Sequence, residues 1–431
     1  MAEIKSVGAR EILDSRGIPT VEAEIILTSG VVGRASVPSG ASVGHQEALE
    51  IRDGGLRYGG KGVLKAVEAI QKEIAPALLG HDVRHQRGID DILIRLDESP
   101  NKNKLGANAV LAVSLAAART AALAVNVPLY ESLRVIHPDI YQMPVPLMNV
   151  MNGGAHADNN LDIQEFMIVP VGAPSFKEAV RYGSEIFQAL RTILKQKKLS
   201  VAVGDEGGFS PSLATNEMAI HFILEAIESA GFKPGKEIFL ALDLASSGFY
   251  ANNHYTLASE NKSYTSEEWV QYLSSLVSQY PILSLEDGMS EDDWPGWKLL
   301  TETLGNRVQL VGDDIFVTNA KILIRGVHEK IANAVLVKPN QIGTLSETWQ
   351  TIELAKESNY NIVISHRSGE TEDTFIADLA VACEAHQVKV GSLCRGERIS
   401  KYNQLLRIEE GLGNKAKYRG ADAFSMIARS G

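Results

Sequence analysis

Residues 334–366 read AVLVKPNQIGTLSETWQTIELAKESNYNIVISH and contain one full repeat of the pattern that organises most of the chain. Ala334–Val337 is a short apolar run of strand length, Ser346–Ser358 has helical periodicity, and Asn361–Ile364 is a second apolar strand. Strand, helix and strand at this spacing describe a parallel βα unit. Working outward, further strands of the same kind lie at Ile238–Leu242, Ile282–Leu285, Val308–Val311 and Gln387–Val390, with Asn319–Lys330 as another intervening helix. Two strands, Met143–Val150 and Ile163–Val171, and two amphipathic helices, Phe176–Lys197 and Asn216–Gly231, precede the series. Six or more such units favour a closed β/α barrel; an open doubly wound sheet is the structural alternative.

The first 137 residues follow another pattern. Thr20–Leu27 (TVEAEIIL) and Val31–Val37 alternate as antiparallel strands with a polar face do, and helical stretches follow around Gly62–Leu79 and Leu105–Ala124. This part reads as a small α+β domain. A connection marked by Pro138, Pro144 and Pro146 leads into residues 138–431, so the expected fold class is α/β, an α+β cap followed by a barrel.

Composition limits the partners. A formal charge of −11 over 431 residues gives no long-range attraction for nucleic acid, and an anionic substrate would need cations gathered locally. Two cysteines, Cys383 and Cys394, are too few for a disulfide framework and point to reduced thiols in the cytoplasm. The opening MAEIKSVGAREILDSRG carries charges where a signal peptide would be apolar. Leu105–Ala118 falls short of the roughly 20 residues a bilayer span needs, so it is expected as a buried helix of a soluble protein.

Barrel chemistry gathers at the C-terminal ends of the strands. The residues at those positions are Asp243, Glu286, Asp313, Lys338, His366 and Lys389, separated by 43, 27, 25, 28 and 23 residues. Three carboxylates from successive strands, without paired Cys or His, suit Mg²⁺ or Mn²⁺; salt bridges to the barrel's own lysines are the plainer alternative. Lys338 beside such a metal is expected to have a lowered pKa and to act as a base, with a Schiff-base lysine as the rival role. Glu206, in the loop VGDEGGF (203–209), suits a general acid if burial or a neighbour such as Glu165 raises its pKa; alone it would be a turn residue. Arg367 beside Ser368, with Lys389 one strand on, forms a phosphate grip. The small-residue loop SGASVG (39–44) has the character of a lid, and His156 in NGGAH (152–156) would on its own be structural.

Taken together, SGAS, NGGAHADNN, QEFMI, VGDEGGF, SLEDG, VGDD, KPNQIG and SHRSGETED closely resemble the enolase family, bacterial type, from Asp14–Gly17 (DSRG) to Lys401–Glu410 (KYNQLLRIEE). The resemblance implies an N-terminal cap and a barrel of ββαα(βα)₆ topology. It implies reversible dehydration of 2-phosphoglycerate to phosphoenolpyruvate with two Mg²⁺ ions. Asp243, Glu286 and Asp313 would hold the first ion, and substrate with Ser42 the second. Lys338 would remove the carbon-2 proton and Glu206 assist departure of the carbon-3 hydroxyl. His156, Gln164, Glu165, His366, Arg367, Ser368 and Lys389 match positions that contact substrate or support the acid. A homodimer or octamer is implied as well. The chain departs from the family pattern at Val43, at Val390 and over Cys394–Gly396, which removes hydroxyls near the lid and the site. Two other readings are a sugar-acid dehydratase or racemase, which would show a Lys-x-Lys pair or a His–Asp dyad, and a cell-surface or RNA-processing scaffold role alongside catalysis.

Overall fold

A computed structural model describes residues 2–41, 43–134 and 139–427. Ser42, expected as a metal ligand, and the expected domain junction at 137/138 lie outside the described residues.

The N-terminal part is a three-stranded antiparallel sheet, β1 (Ile4–Leu13), β2 (Pro19–Leu27) and β3 (Val32–Ser36). The central β2 buries Val21, Ala23, Ile25 and Leu27 on one face, the alternation that made it readable. β1 was not anticipated: its charged residues Lys5, Arg10 and Glu11 interrupt the apolar pattern of a strand that packs one edge only. Against the sheet lies α1 (Ala107–Val125), the Ala-rich helix. Its small side chains permit close approach, so that a Cβ at Gly33 would collide with the Thr120 hydroxyl. It has the length and apolarity of a membrane span, yet 72% of its most apolar window is buried inside the protein. A helix over Gln86–Asp97 packs beside it and also escaped the sequence reading.

The rest is a closed eight-stranded barrel. Its strands are β4 (Val145–Asn152), β5 (Glu165–Val169), β6 (Phe239–Asp243), β7 (Ile282–Glu286), β8 (Gln309–Gly312), β9 (Ala334–Val337), β10 (Asn361–Ser365) and β11 (Gln387–Lys389). The order round the barrel is sequential, and β11 closes on β4. All pairings are parallel except those of β5, which runs antiparallel to both β4 and β6. Only a single 3₁₀ turn, Gly154–His156, lies between β4 and β5, so the chain turns back without an α-helical crossover; two helices, α2 (Phe176–Gln196) and α3 (Asn216–Ser229), then carry it to β6. This is the ββαα(βα)₆ order, and it excludes the open sheet. The long first interval between strand ends is filled by a small antiparallel sheet, Tyr250–Ala251, His254–Leu257 and Lys262–Tyr264. One apolar cluster, including Val145, Leu147, Val169, Val311, Leu336 and Val363, fills the barrel interior and is plugged by Phe424 and Ile427.

The N-terminal part is fastened to the barrel by buried polar contacts. Arg119 of α1 holds Asp373, in the loop after β10, through two bonds of 2.8 Å, and Asp373 also accepts the Ser36 and Phe375 backbone N–H groups. Buried Lys102 reaches Glu347 at 3.0 Å, and buried Asp90 accepts from Ser346 of α4 (Leu345–Glu357). Removing one partner of a buried ion pair strands the other charge. Arg119→Met is therefore expected to destabilise the protein by about 3 kcal/mol. The double variant Arg119→Met/Asp373→Asn should recover part of that loss, and chemical denaturation of the three proteins measures both.

Candidate active site

The strand register brings distant carboxylates to one ammonium. Asp243, the last residue of β6, lies beside Glu286 of β7 and beside Glu165 of β5. Because β5 runs backwards, its first residue, not its last, meets the mouth formed by the C-terminal ends of its neighbours. Lys389, at the end of β11, projects among all three, with Nζ 2.8 Å from Asp243 Oδ2, 2.8 Å from Glu286 Oε1 and 3.0 Å from Glu165 Oε1. The four residues are buried. Three carboxylates hold the Lys389 ammonium well above its ordinary pKa although burial acts to lower it. Gln164 adds a bond from its amide to Asp243 Oδ2 at 3.2 Å.

Lys338, one residue past β9, donates to Asp313 Oδ2, and Gln341 Nε2 holds the other Asp313 oxygen at 2.8 Å. Sequence reasoning expected a depressed Lys338 pKa. The structure gives the opposite direction: burial and Arg367 act to lower it, but Asp313 outweighs them and raises it. The cause is contact, since the expected metal-bound Asp313 is here the lysine's own partner.

The acid loop is built by tight packing. Gly207 has φ +87°, and a Cβ there would lie 2.6 Å from the Cys394 carbonyl oxygen, so the loop that carries Glu206 closes against the segment after β11. Glu206 is 2% exposed, and Asn149 Nδ2 bridges it to Glu165 with bonds of 3.2 and 2.9 Å. His156 Nδ1 and His366 Nε2 each lie 3.5 Å from Glu206 Oε1. Burial and the Glu206 charge push Glu165 well above the usual carboxylate range. Burial also works on Glu206, but the donors and charge beside it, His366 and the Arg398 guanidinium among them, outweigh it and hold that group low. The upward shift expected for Glu206 thus falls on its neighbour. Two carboxyls sharing one amide and one buried space titrate as a pair, with Glu165 the member shifted up and Glu206 the member shifted down.

Arg367, expected as a phosphate grip, is buried and tied to Glu47 of the N-terminal part at 2.9 and 3.2 Å, and to Asn340 at 3.1 Å. The Ser368 hydroxyl accepts the Ala41 backbone N–H at 2.6 Å, and Ser39 pairs with Gly369. The small-residue loop thereby lies across the mouth. Beneath it His156, Gln164, Glu165, Glu206, Asp243, Lys338, His366, Arg367, Ser368 and Lys389 line one cavity with Gly40 and Ser365. Its volume is about 20 Å³, room for one water, so any larger molecule must part these side chains and lift the loop. Glu286 and Asp313 are reached through their lysines. Asn149, Glu47 and Gln341 escaped the sequence reading; a polar residue inside the otherwise apolar strand β4 was the available signal for Asn149.

Asp243, Glu286 and Asp313 are not gathered round one point. The lysine salt bridges that were the plainer reading describe them as they stand. Among the described residues two groups bring three ligand atoms within 4.8 Å of one another, His156–Glu165–Glu206 and Asp287–Asp313–Asp314. A divalent cation nonetheless suits the site. Glu165, Glu206, Asp243, Glu286 and Asp313 bring five buried carboxylates to one mouth with Lys338 and Lys389, and Glu286 Oε2 is buried without a hydrogen-bond partner among the described residues. Burial first, and the Asp243 charge second, raise the Glu286 pKa well above normal, so a positive charge placed beside it is favoured.

Two family models match the chain. The enolase N-terminal domain covers residues 4–133, and the enolase C-terminal TIM barrel domain covers residues 140–427.

A divalent cation that binds here, supplied at about 100 times its dissociation constant, is expected to stabilise the protein by about 3 kcal/mol, read as a rise in melting temperature. Glu286→Gln should remove most of that rise; an unchanged rise would place the ion elsewhere.

Proposed function

The chain belongs to the enolase family, and from that premise we propose that it catalyses the reversible dehydration of 2-phosphoglycerate to phosphoenolpyruvate. The observation that carries this reading is one buried cavity lined by both Lys338 and the Glu165–Glu206 pair, a base and a proton store within reach of one small substrate. Lys338, once Asp313 is drawn off it, is the free amine that takes the carbon-2 proton. The carboxyl pair supplies the proton that leaves with the carbon-3 hydroxyl, with Glu206 as the donor. Arg367, Ser368 and Lys389 bind the anionic groups of the substrate once Glu47 has withdrawn from Arg367. Gln164 and His156 orient the substrate.

Mg²⁺ held by Asp243, Glu286 and Asp313, with a second ion at Ser42 and the substrate, would supply positive charge to the substrate carboxylate as negative charge grows there. The lone lysine at the end of β9 disfavours a Lys-x-Lys dehydratase. His366 disfavours a His–Asp base, because its Nδ1 faces Arg398 rather than an aspartate. A cytoplasmic homodimer or octamer completes the reading.

Incubation with 2-phosphoglycerate and Mg²⁺ should produce an ultraviolet absorbance rise from phosphoenolpyruvate, abolished by chelation. Lys338→Ala should lower kcat by about a thousandfold or more while leaving Mg²⁺ stabilisation in place. No absorbance change with the wild-type protein at saturating Mg²⁺ rejects the assignment.

A further inference from the structure

Arg398 opens α5 (Gly396–Leu412), is fully buried, and has no hydrogen bond to Asp243, Glu286 or Asp313. Its guanidinium uses every donor it has. Nε donates to Glu397 Oε1 at 3.2 Å; Nη1 donates to His366 Nδ1 and to the Arg367 carbonyl, both at 2.5 Å; Nη2 donates to the carbonyls of Asp205 at 3.1 Å and Ser368 at 2.5 Å. One side chain thus joins the loop that carries Glu206 to the loop that carries Arg367. The space for it depends on Gly391, where a Cβ would lie 2.7 Å from Arg398 Cδ and 3.0 Å from the Glu206 carbonyl.

The consequence for His366 follows from donor counting. A guanidinium has no acceptor and does not lose its proton in a protein, so the Nδ1 it faces must be the acceptor. A neutral imidazole with an acceptor at Nδ1 carries its hydrogen on Nε2. The ring is neutral, since burial first of all holds its pKa down to about 3. Nε2 is buried, has no hydrogen-bond partner among the described residues, and lies 3.5 Å from Glu206 Oε1, and both residues line the cavity.

We propose that Arg398 is a positioning residue that fixes His366 in the Nε2–H tautomer, so that a neutral imidazole presents a donor to the substrate hydroxyl oxygen beside Glu206. The proposal rests on the acid–base reading above. A neutral donor at that point steadies the departing oxygen without adding a positive charge that would hold the acid's proton away from it. A lysine at 398 has three donors on a single atom and cannot span His366, Asp205 and the two carbonyls of the Arg367 loop.

The tautomer is observable in the full-length protein labelled with ¹⁵N-histidine, with the His366 signals identified as those missing from His366→Gln. The wild type should show a protonated Nε2 and an unprotonated Nδ1 throughout about pH 5 to 8. In Arg398→Lys both tautomers should appear, and kcat should fall about a hundredfold. A wild-type ring protonated at Nδ1, or doubly protonated, overturns the proposal, and this holds even if Arg398→Lys does not fold. A folded Arg398→Lys that keeps the wild-type tautomer overturns it too. The spectrum is read without substrate, so a wild type that fails to turn over 2-phosphoglycerate speaks against the dehydratase assignment alone.

Discussion

The contact of Lys389 with Asp243, Glu286 and Glu165 is the constraint to which the mouth of the barrel is fitted. Closing eight strands brings their ends into one small space, and this sequence places acids at several of them. Buried carboxylates that repel one another favour protonation or unfolding unless cations are set among them. Lys389 answers three of them and Lys338 a fourth. Even so, the surplus persists in the raised pKa values of Glu165 and Glu286. A site with this imbalance is strained when empty of positive charge and relieved by it, which links the stability of the barrel to what binds in its mouth.

The N-terminal part is held to that mouth by the same currency of buried polar pairs. Arg119 with Asp373 and Lys102 with Glu347 are placed away from the cavity and fasten the two parts together. Arg367 with Glu47 lies at the cavity itself, where the small-residue loop crosses. The first two can stay in place while the third is exchanged. That division lets one segment move without loosening the attachment of its domain.

Much of this was legible from the chain. Strand ends could be located because buried parallel strands are continuous apolar runs, and the first charged residue after each run marks the mouth. Asp243, Glu286, Asp313, Lys338, His366 and Lys389 were found by that rule, and the structure brings all six to one end of the barrel. What the sequence hid depends on geometry between segments. The direction of the Lys338 shift turns on whether Asp313 touches it, and the partition between Glu165 and Glu206 turns on His366 and Arg398, which come from other segments. Nothing in GERISKYNQ marks Arg398; only the fold shows it buried with five acceptors around it. β1 and the Gln86–Asp97 helix were missed because their charged residues mask a narrow apolar face.

The Glu47–Arg367 pair also sets a thermodynamic toll on entry. Glu47 offers the guanidinium two carboxylate oxygens, the same bidentate pattern that a phosphate offers, and it is tethered to the chain at a high effective concentration. An incoming anion therefore competes with a built-in surrogate of itself. Its apparent affinity equals its intrinsic affinity scaled by the fraction of molecules in which Glu47 has let go. Whatever shortens or stiffens the stretch that carries Glu47 changes that fraction, so the sensitivity of the site to its ligand can be tuned from the N-terminal part as well as from the barrel.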